Sequence, residues 1–205
     1  MQAFTQITAL AAPIDEANVD TNQLCPTRFN KVPRGPQHAK VLFHDLRFDA
    51  FGNEKEFILN AEPWRQAHIL VADRNFGCGS SRESAVYALY EFGIRCVIAP
   101  SFGDIFASNA AKNGLLTVEL PAETVSSIRA QLRANPGAKL SVDLESQVVT
   151  DASGAQHRFE IHPVKKRCLL SGLDDIARTG EYGTAFASYE AARRTETPWL
   201  YDTGA

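Results

Sequence analysis

From His68 to Leu120 the chain alternates between short apolar runs and longer stretches in which apolar residues recur every third or fourth position. The run 68–73 predicts a strand, and Ala85, Leu89 and Phe92 predict a helix over 81–92. A strand over Ile94 to Ala99, a helix over Phe102 to Lys112 stopped at Asn113-Gly114, and a strand over Leu115 to Leu120 follow. Two successive strand–helix–strand units of this kind imply parallel strands joined by right-handed crossovers. Upstream, the apolar run Ile7 to Ile14 reads as an edge strand ending at Pro13. Asp15 to Asn30 is rich in turn residues, and Lys31 to Asn53 reads as a long, partly mobile loop leading into a buried aromatic anchor around Leu42 to Phe48. Downstream, Pro121 to Ala134 is an amphipathic helix closed by Asn135-Pro136-Gly137. Lys139–Leu144, Gln147–Thr150 and Gln156–Ile161 alternate as antiparallel strands, with a tight turn at Ala152-Ser153-Gly154. Pro163 to Arg178 and Thr184 to Arg194 read as helices, and the last eleven residues as a loose tail unless a partner holds them.

Composition narrows this picture little. A chain of 205 residues with 44% hydrophobic and 22% charged residues and a net charge of −3 predicts one soluble domain, residues 1–205, carrying a long loop at about 25–55 and C-terminal helices and tail at about 163–205. No basic surplus points to nucleic acid, no apolar run nears the roughly 18 residues of a spanning helix, and no secretory pattern opens the chain. A cytoplasmic location without membrane or nucleic-acid partners is the expectation. Cys25, Cys78, Cys96 and Cys168 are widely spaced, without a C-x-x-C pair, so neither a zinc knuckle nor a self-contained iron–sulfur site is expected, and the thiols should be reduced.

The densest chemistry lies in Asn75-Phe76-Gly77-Cys78-Gly79-Ser80-Ser81-Arg82-Glu83-Ser84, between the first predicted parallel strand and its helix. Two glycines allow a sharp turn and close approach to a ligand, and a helix start favours an anion. Arg82 brings a planar fork matched to a carboxylate or phosphate, and Ser80 and Ser81 bring hydroxyls. A blander reading stands beside this one: Ser80 and Glu83 have the spacing of a capping box, so the serine could simply cap the helix. Dinucleotide, P-loop and nucleophile-elbow motifs are absent, since no third glycine, Gly-Lys-Ser/Thr or G-x-S-x-G is present. Cys78 as a nucleophile lacks a nearby histidine and reads better as a small turn residue, and the singletons His157 and His162 read as structural or surface residues.

This stretch, with Val97-Ile98-Ala99-Pro100-Ser101-Phe102, Asp104-Ile105-Phe106 and Asn109, resembles the small-subunit family of 3-isopropylmalate dehydratases, the swivel-domain partners in the aconitase superfamily. Asn18-Val19-Asp20-Thr21 and the segment Cys168 to Ile176 extend the resemblance over nearly the whole chain. It implies an α/β fold, a three-layer β/β/α swivel domain with a largely parallel central sheet plus a smaller antiparallel sheet. It also implies a separate large subunit carrying a [4Fe–4S] cluster, with no cofactor bound by this chain. The implied reaction interconverts 2-isopropylmalate and 3-isopropylmalate by dehydration and rehydration in leucine biosynthesis. Position by position, the resemblance makes Ser80 the base and Arg82, with Ser81, the grip on a carboxylate of a small dicarboxylate substrate. Arg28, or less so Lys31, falls in the loop that reaches over the substrate.

Several positions differ from the family pattern. Asp20-Thr21-Asn22 stands where Asp-Thr-Asp is usual, Ser84 where histidine follows Arg-Glu, and Cys25 where an aliphatic residue is usual, while Asn30-Lys31 follows Phe29 in the substrate loop. Two other readings therefore accompany the first: a related hydratase subunit for citramalate-, methylmalate- or maleate-like diacids, and a non-catalytic binding or assembly homologue.

Overall fold

The computed structural model describes residues 1–79, 81–173, 177 and 179–201, of Glu181 the backbone alone. It divides into two compact units, Met1–Gly172 and Leu173–Ala205.

The first unit is built on one seven-stranded mixed sheet. Strands β1 (Gln6–Pro13), β2 (Ile69–Val71), β3 (Cys96–Ala99) and β4 (Leu116–Glu119) are parallel, and β5 (Lys139–Asp143), β6 (Val148–Thr150) and β7 (Gln156–Arg158) continue the sheet antiparallel, in the order β4-β3-β2-β1-β5-β6-β7. Every residue of β2 and β3 is buried, as expected of parallel strands covered on both faces. Over one face lie α3 (Glu83–Phe92) and α4 (Asp104–Lys112), whose Ala85, Val86, Ala88, Leu89, Phe106 and Ala110 pack with Leu70 and Val97 of the strands. On the other face Ile69, Val71, Cys96 and Ile98 meet Val125, Ile128 and Leu132 of α5 (Ala122–Ala134) and Leu140, Val142 and Val149 of the antiparallel strands. Helices, parallel strands and antiparallel strands thus form the layers expected, with β1 shared between the two strand sets.

That sharing corrects the reading of β1 as an edge strand. Residues 6–10 pair with β5 and residues 11–13 with β2, so β1 is central. Pro13 is tolerated there because its missing N–H would point to the β5 side, beyond the last rung at Leu10 and Lys139, whereas the Ile14 N–H donates to Val71 on the other side at 2.8 Å.

The helix expected over Pro163 to Arg178 also ends early. Helix α6 runs Pro163–Ser171 and stops at Gly172, at φ 68°, where a Cβ would come within 2.9 Å of the Ala3 nitrogen and the Met1 oxygen. Residues 174–176 and 178 of that expectation lie outside the described residues.

The segment between β1 and β2 contains two short helices, α1 (Thr21–Leu24) and α2 (His44–Arg47), and 3-10 turns. The buried anchor is present, since Leu42 and Phe43 are fully buried along with Leu24, Cys25 and Leu59. Arg34 joins the segment to the helices: its guanidinium lies 4.6 Å from the centre of the Tyr87 ring, and it donates to Asn113 Oδ1 at 3.0 Å. Buried Arg47 donates to Asn60 Oδ1 at 2.9 Å and to the carbonyls of Ala39 and Leu42.

In the second unit, helix α7 (Gly183–Glu196) is followed by a 3-10 turn at Pro198–Leu200, and residues 202–205 of the expected tail lie outside the described residues.

Candidate active site

The loops leaving the carboxyl ends of β1 and β2 are laced together. Gly77 N–H donates to Val19 at 2.7 Å, Thr21 N–H to Cys78 at 2.9 Å and Asn18 N–H to Arg74 at 2.9 Å, while Asn75 Nδ2 donates to Asn18 Oδ1 at 2.9 Å. In an open parallel sheet this end of the strands is where ligands bind. The β3 loop joins through Phe76 N–H to Ser101 and Gly103 N–H to Phe76.

The glycines divide the work. Gly77 and Gly79 both have left-handed backbones, at φ 73° and 91°. At Gly77 space is also lacking, because a Cβ would fall 2.2 Å from Cγ of Phe106, whereas at Gly79 the nearest atom would be 3.6 Å away. Phe106 belongs to a ring cluster with Phe76 and Phe102, centroids 5.6 and 6.3 Å away, that floors the turn. Beside it a cavity of about 180 Å³ is lined by Gly77, Gly79, Gly103, Asp104, Ile105 and Phe106.

Helix α3 begins at Glu83 with Arg82 in the N-cap position and no side-chain cap. The capping-box reading of Ser80 and Glu83 is therefore overturned: Glu83 is the first helical residue, two positions too early to reach back as the third. The capping box in this region is Asp20 with Gln23 on α1, where Asp20 Oδ1 accepts from the N–H groups of Asn22 and Gln23 at 2.7 and 2.8 Å and Gln23 Oε1 accepts from the Asp20 N–H at 2.8 Å. Its D-x-x-Q spacing was available in the sequence.

Ser80 lies outside the described residues, and Ser81 is exposed. Arg82 is half-buried and reaches back to the β1 loop, where its Nη1 donates to Asn22 Oδ1 at 2.5 Å and to Thr27 Oγ1 at 3.0 Å. Thr27 Oγ1 itself donates to the same Asn22 oxygen at 2.7 Å. Two residues on from Arg82, Ser84 Oγ donates to Asn30 Oδ1 at 3.1 Å. Burial pushes the Cys25 thiol up, against the opposing effects of a hydrogen bond with Ser84 and the Arg82 charge. Four of the five positions singled out above as departures, Asn22, Cys25, Asn30 and Ser84, thus gather around the start of α3, and the fifth, Lys31, does not share these contacts.

Arg28 is placed differently. It pairs through both Nη atoms with Asp45, approaches His44 Nδ1 at 3.2 Å, and lies 4.6 Å from the Phe29 ring centre. The Arg28 hydrogen bond holds the Asp45 carboxyl down at about 2 despite some desolvation. Arg28, His44, Asp45, Phe48, Asp49 and Lys55 line an open groove of about 720 Å³. Lys31 is exposed. The structure therefore unites Arg82 with Asn22 and Thr27, and sets Arg28 with His44 and Asp45. Thr27, His44 and Asp45 are missed from sequence, since nothing in their local pattern tells which distant side chain they face. The two histidines read as structural or surface residues are structural: His157 pairs with Asp151 at 3.0 Å, and His162 caps α6 by accepting from the Val164 N–H at 3.3 Å.

Among the described residues, no three or more His, Cys, Asp or Glu side chains converge on a point that could hold a metal ion, and no helix is long and apolar enough to cross a membrane.

Comparison with known proteins bears on the chain as a whole. Residues 1–123 match the aconitase C-terminal domain family, and residues 127–163 match the family described as LeuD_N. A 3-isopropylmalate dehydratase small subunit from Gluconacetobacter diazotrophicus is 46% identical over 200 residues, covering 97% of each chain, and one from Phenylobacterium zucineum is 49% identical over 201 residues, covering 98% of each. The chain belongs to the 3-isopropylmalate dehydratase small-subunit family. Among solved structures, the 3-isopropylmalate dehydratase (leuD) of Methanocaldococcus jannaschii superposes with a TM-score of 0.66 at 23% identity, over 90% of this chain and 99% of that one, which supports the shared fold.

Proposed function

We propose that this chain is the small subunit of a hydro-lyase that interconverts 2-isopropylmalate and 3-isopropylmalate in leucine biosynthesis, working in the cytoplasm as a heterodimer with a large subunit. The observation that carries the reading is the anchored guanidinium of Arg82 at the open end of the parallel sheet, in a chain 43–49% identical to proteins so named. Its Nε and Nη2 have no hydrogen-bond partner among the described residues, which leaves one two-donor edge of the fork for a substrate carboxylate. Ser81 adds a hydroxyl to the same pocket.

In this reading Ser80 is the base. It takes the proton from the carbon next to the hydroxyl-bearing one, the C–H electron pair becomes the double bond, and hydroxide departs; rehydration at the neighbouring carbon reverses these steps. An aliphatic hydroxyl is a weak base, so the step depends on the cationic Arg82 and the N–H groups at the start of α3 to stabilise the alkoxide. A [4Fe–4S] cluster on the large subunit supplies Lewis-acid assistance to the departing hydroxyl. Arg28, with Lys31 three residues further along the chain, borders the substrate side chain, and Asp45 holds Arg28 in the groove.

The test is co-expression with a large subunit, anaerobic cluster reconstitution, and hydration assays on isopropylmaleate, citraconate and maleate. Turnover fastest on isopropylmaleate, lost in Ser80→Ala by several powers of ten at ~1.36 kcal/mol each, is the expected result. A stable complex with no turnover on any of the three would sink the enzyme reading. Preference for citraconate or maleate would reassign the substrate, and an unchanged substrate ranking in Arg28→Ala would remove the loop from selection.

A further inference from the structure

Asn22 and Thr27 together treat Arg82 unevenly. Nη1 receives both acceptors, the Asn22 carbonyl oxygen at 2.5 Å and the Thr27 hydroxyl at 3.0 Å, and the hydroxyl's own proton goes to that same carbonyl oxygen at 2.7 Å. The three groups close a ring of hydrogen bonds around one arm of the guanidinium. Nε and Nη2, the other edge of the fork, are engaged by no described residue. Neither acceptor is charged, so the arm is held without neutralising the cation. The acceptors are fixed in turn. The Asn22 N–H is bound by the capping carboxylate of Asp20, and Thr27 opens the 3-10 turn Thr27–Phe29, which Asn30 ties to α3 through Ser84.

We propose that Asn22 is a positioning residue for Arg82: its side-chain carbonyl, braced by Thr27, clamps Nη1 and so presents the Nε/Nη2 edge to a substrate carboxylate in a single orientation. The inference rests on the reading of Arg82 as the carboxylate grip. A flexible arginine must lose rotamer freedom when it forms two parallel hydrogen bonds, and a clamp made before substrate arrives removes that cost from binding. The element the clamp needs is an acceptor oxygen at position 22, so an aspartate should replace Asn22 and an apolar isostere should not. Thr27 matters as the second acceptor and as the donor that holds the Asn22 oxygen in place. Arg28 follows Thr27 directly in the chain, so the same turn carries the clamp at one residue and the groove-lining cation at the next.

The experiment uses the complex with its large subunit and measures kcat, KM and thermal midpoint for Asn22→Leu, Asn22→Asp, Thr27→Val and Arg82→Lys. Because Asn22 and Thr27 are exposed, the effects are moderate. Asn22→Leu should raise KM about three- to tenfold, Thr27→Val about two- to fivefold, and Asn22→Asp should stay within about twofold of the parent, all with thermal midpoints near the parent's. A merely structural role would lower the thermal midpoint and the active fraction instead, with KM unmoved. An unchanged KM in both Asn22→Leu and Thr27→Val, or an Asn22→Asp variant as impaired as Asn22→Leu, overturns the clamp. If Asn22→Leu fails to assemble, Thr27→Val alone decides. Arg82→Lys separates the two levels: a raised KM there with no effect at position 22 or 27 refutes the clamp but keeps the grip, whereas an unchanged KM in Arg82→Lys refutes the grip itself and the clamp with it.

Discussion

Replacing Gly77 by alanine should be far more damaging than the same change two residues later. At Gly77 the added Cβ would lie 2.2 Å from Cγ of Phe106 and 2.6 and 2.7 Å from its two Cδ atoms. An ordinary carbon contact is about 3.5 Å, so ring and backbone must separate by more than 1 Å. Phe106 has nowhere to go, being 3% exposed and wedged against Phe76 and Phe102. Overpacking of that kind costs about 1–3 kcal/mol, and the left-handed backbone adds about 1–2 kcal/mol for any residue with a Cβ. Gly77→Ala should therefore lose about 2–5 kcal/mol, a fall in Tm of about 4–20 °C for a chain of this size. Gly79→Ala is the internal control, for its φ of 91° brings the same backbone strain while its nearest contact would be an unstrained 3.6 Å. Urea titration and calorimetry of the two variants should differ by the overpacking alone, about 1–3 kcal/mol. In a Phe106→Ala background, itself costing about 3–5 kcal/mol, the excess at Gly77 should vanish. Equal losses at the two glycines, or strict additivity with Phe106→Ala, would refute the claim that the ring dictates Gly77.

Two further predictions concern ionisable groups. The carboxyl of Asp151 is buried, which alone would raise its pKa, but hydrogen bonds from Ser153, His157 and Gln131 hold it below its ordinary range. A depressed carboxylate stabilises the fold above its unfolded value of about 3.9 and loses that contribution as pH falls through the folded value, so acid unfolding should draw on this group only below about pH 4. Asp151→Ala should cost about 1–3 kcal/mol at pH 7 by orphaning the Ser153 and Ala155 N–H groups, and Asp151→Asn less, because the Gln131 amide, whose Oε1 is buried without a partner, can turn to accept from the new amide. Equal losses in the two variants would contradict this account. For the thiols, mass spectrometry after brief native alkylation at pH 8 should find Cys78 modified and Cys96 untouched, since complete burial pushes the Cys96 thiol up while Cys78 is only partly covered; early labelling of Cys96 would show the sheet opens more readily than its packing implies.

The alternation of apolar runs and helical spacing was sufficient to locate the parallel core, because strands buried on both faces and helices buried on one leave periodicities that survive in one dimension. The glycine turn was legible for the same local reason, as were the end of α4 at Asn113-Gly114 and the structural roles of His157 and His162. Local pattern failed where one residue serves two neighbours or where the partner is distant in sequence. Pro13 looked like an edge marker, yet β1 is central because its two halves pair with different strands and the proline falls past the end of one ladder. Ser80 and Glu83 had capping spacing, yet α3 starts at Glu83, and Arg82 spends its hydrogen bonds on Asn22 and Thr27, 60 and 55 residues away. Residue types and spacing determined that a glycine turn carrying an arginine follows a parallel strand. Which arm of that arginine is held, and by what, was decided only when the loops after β1 and β2 closed on each other, since hydrogen bonds between distant segments have no period for a sequence to display.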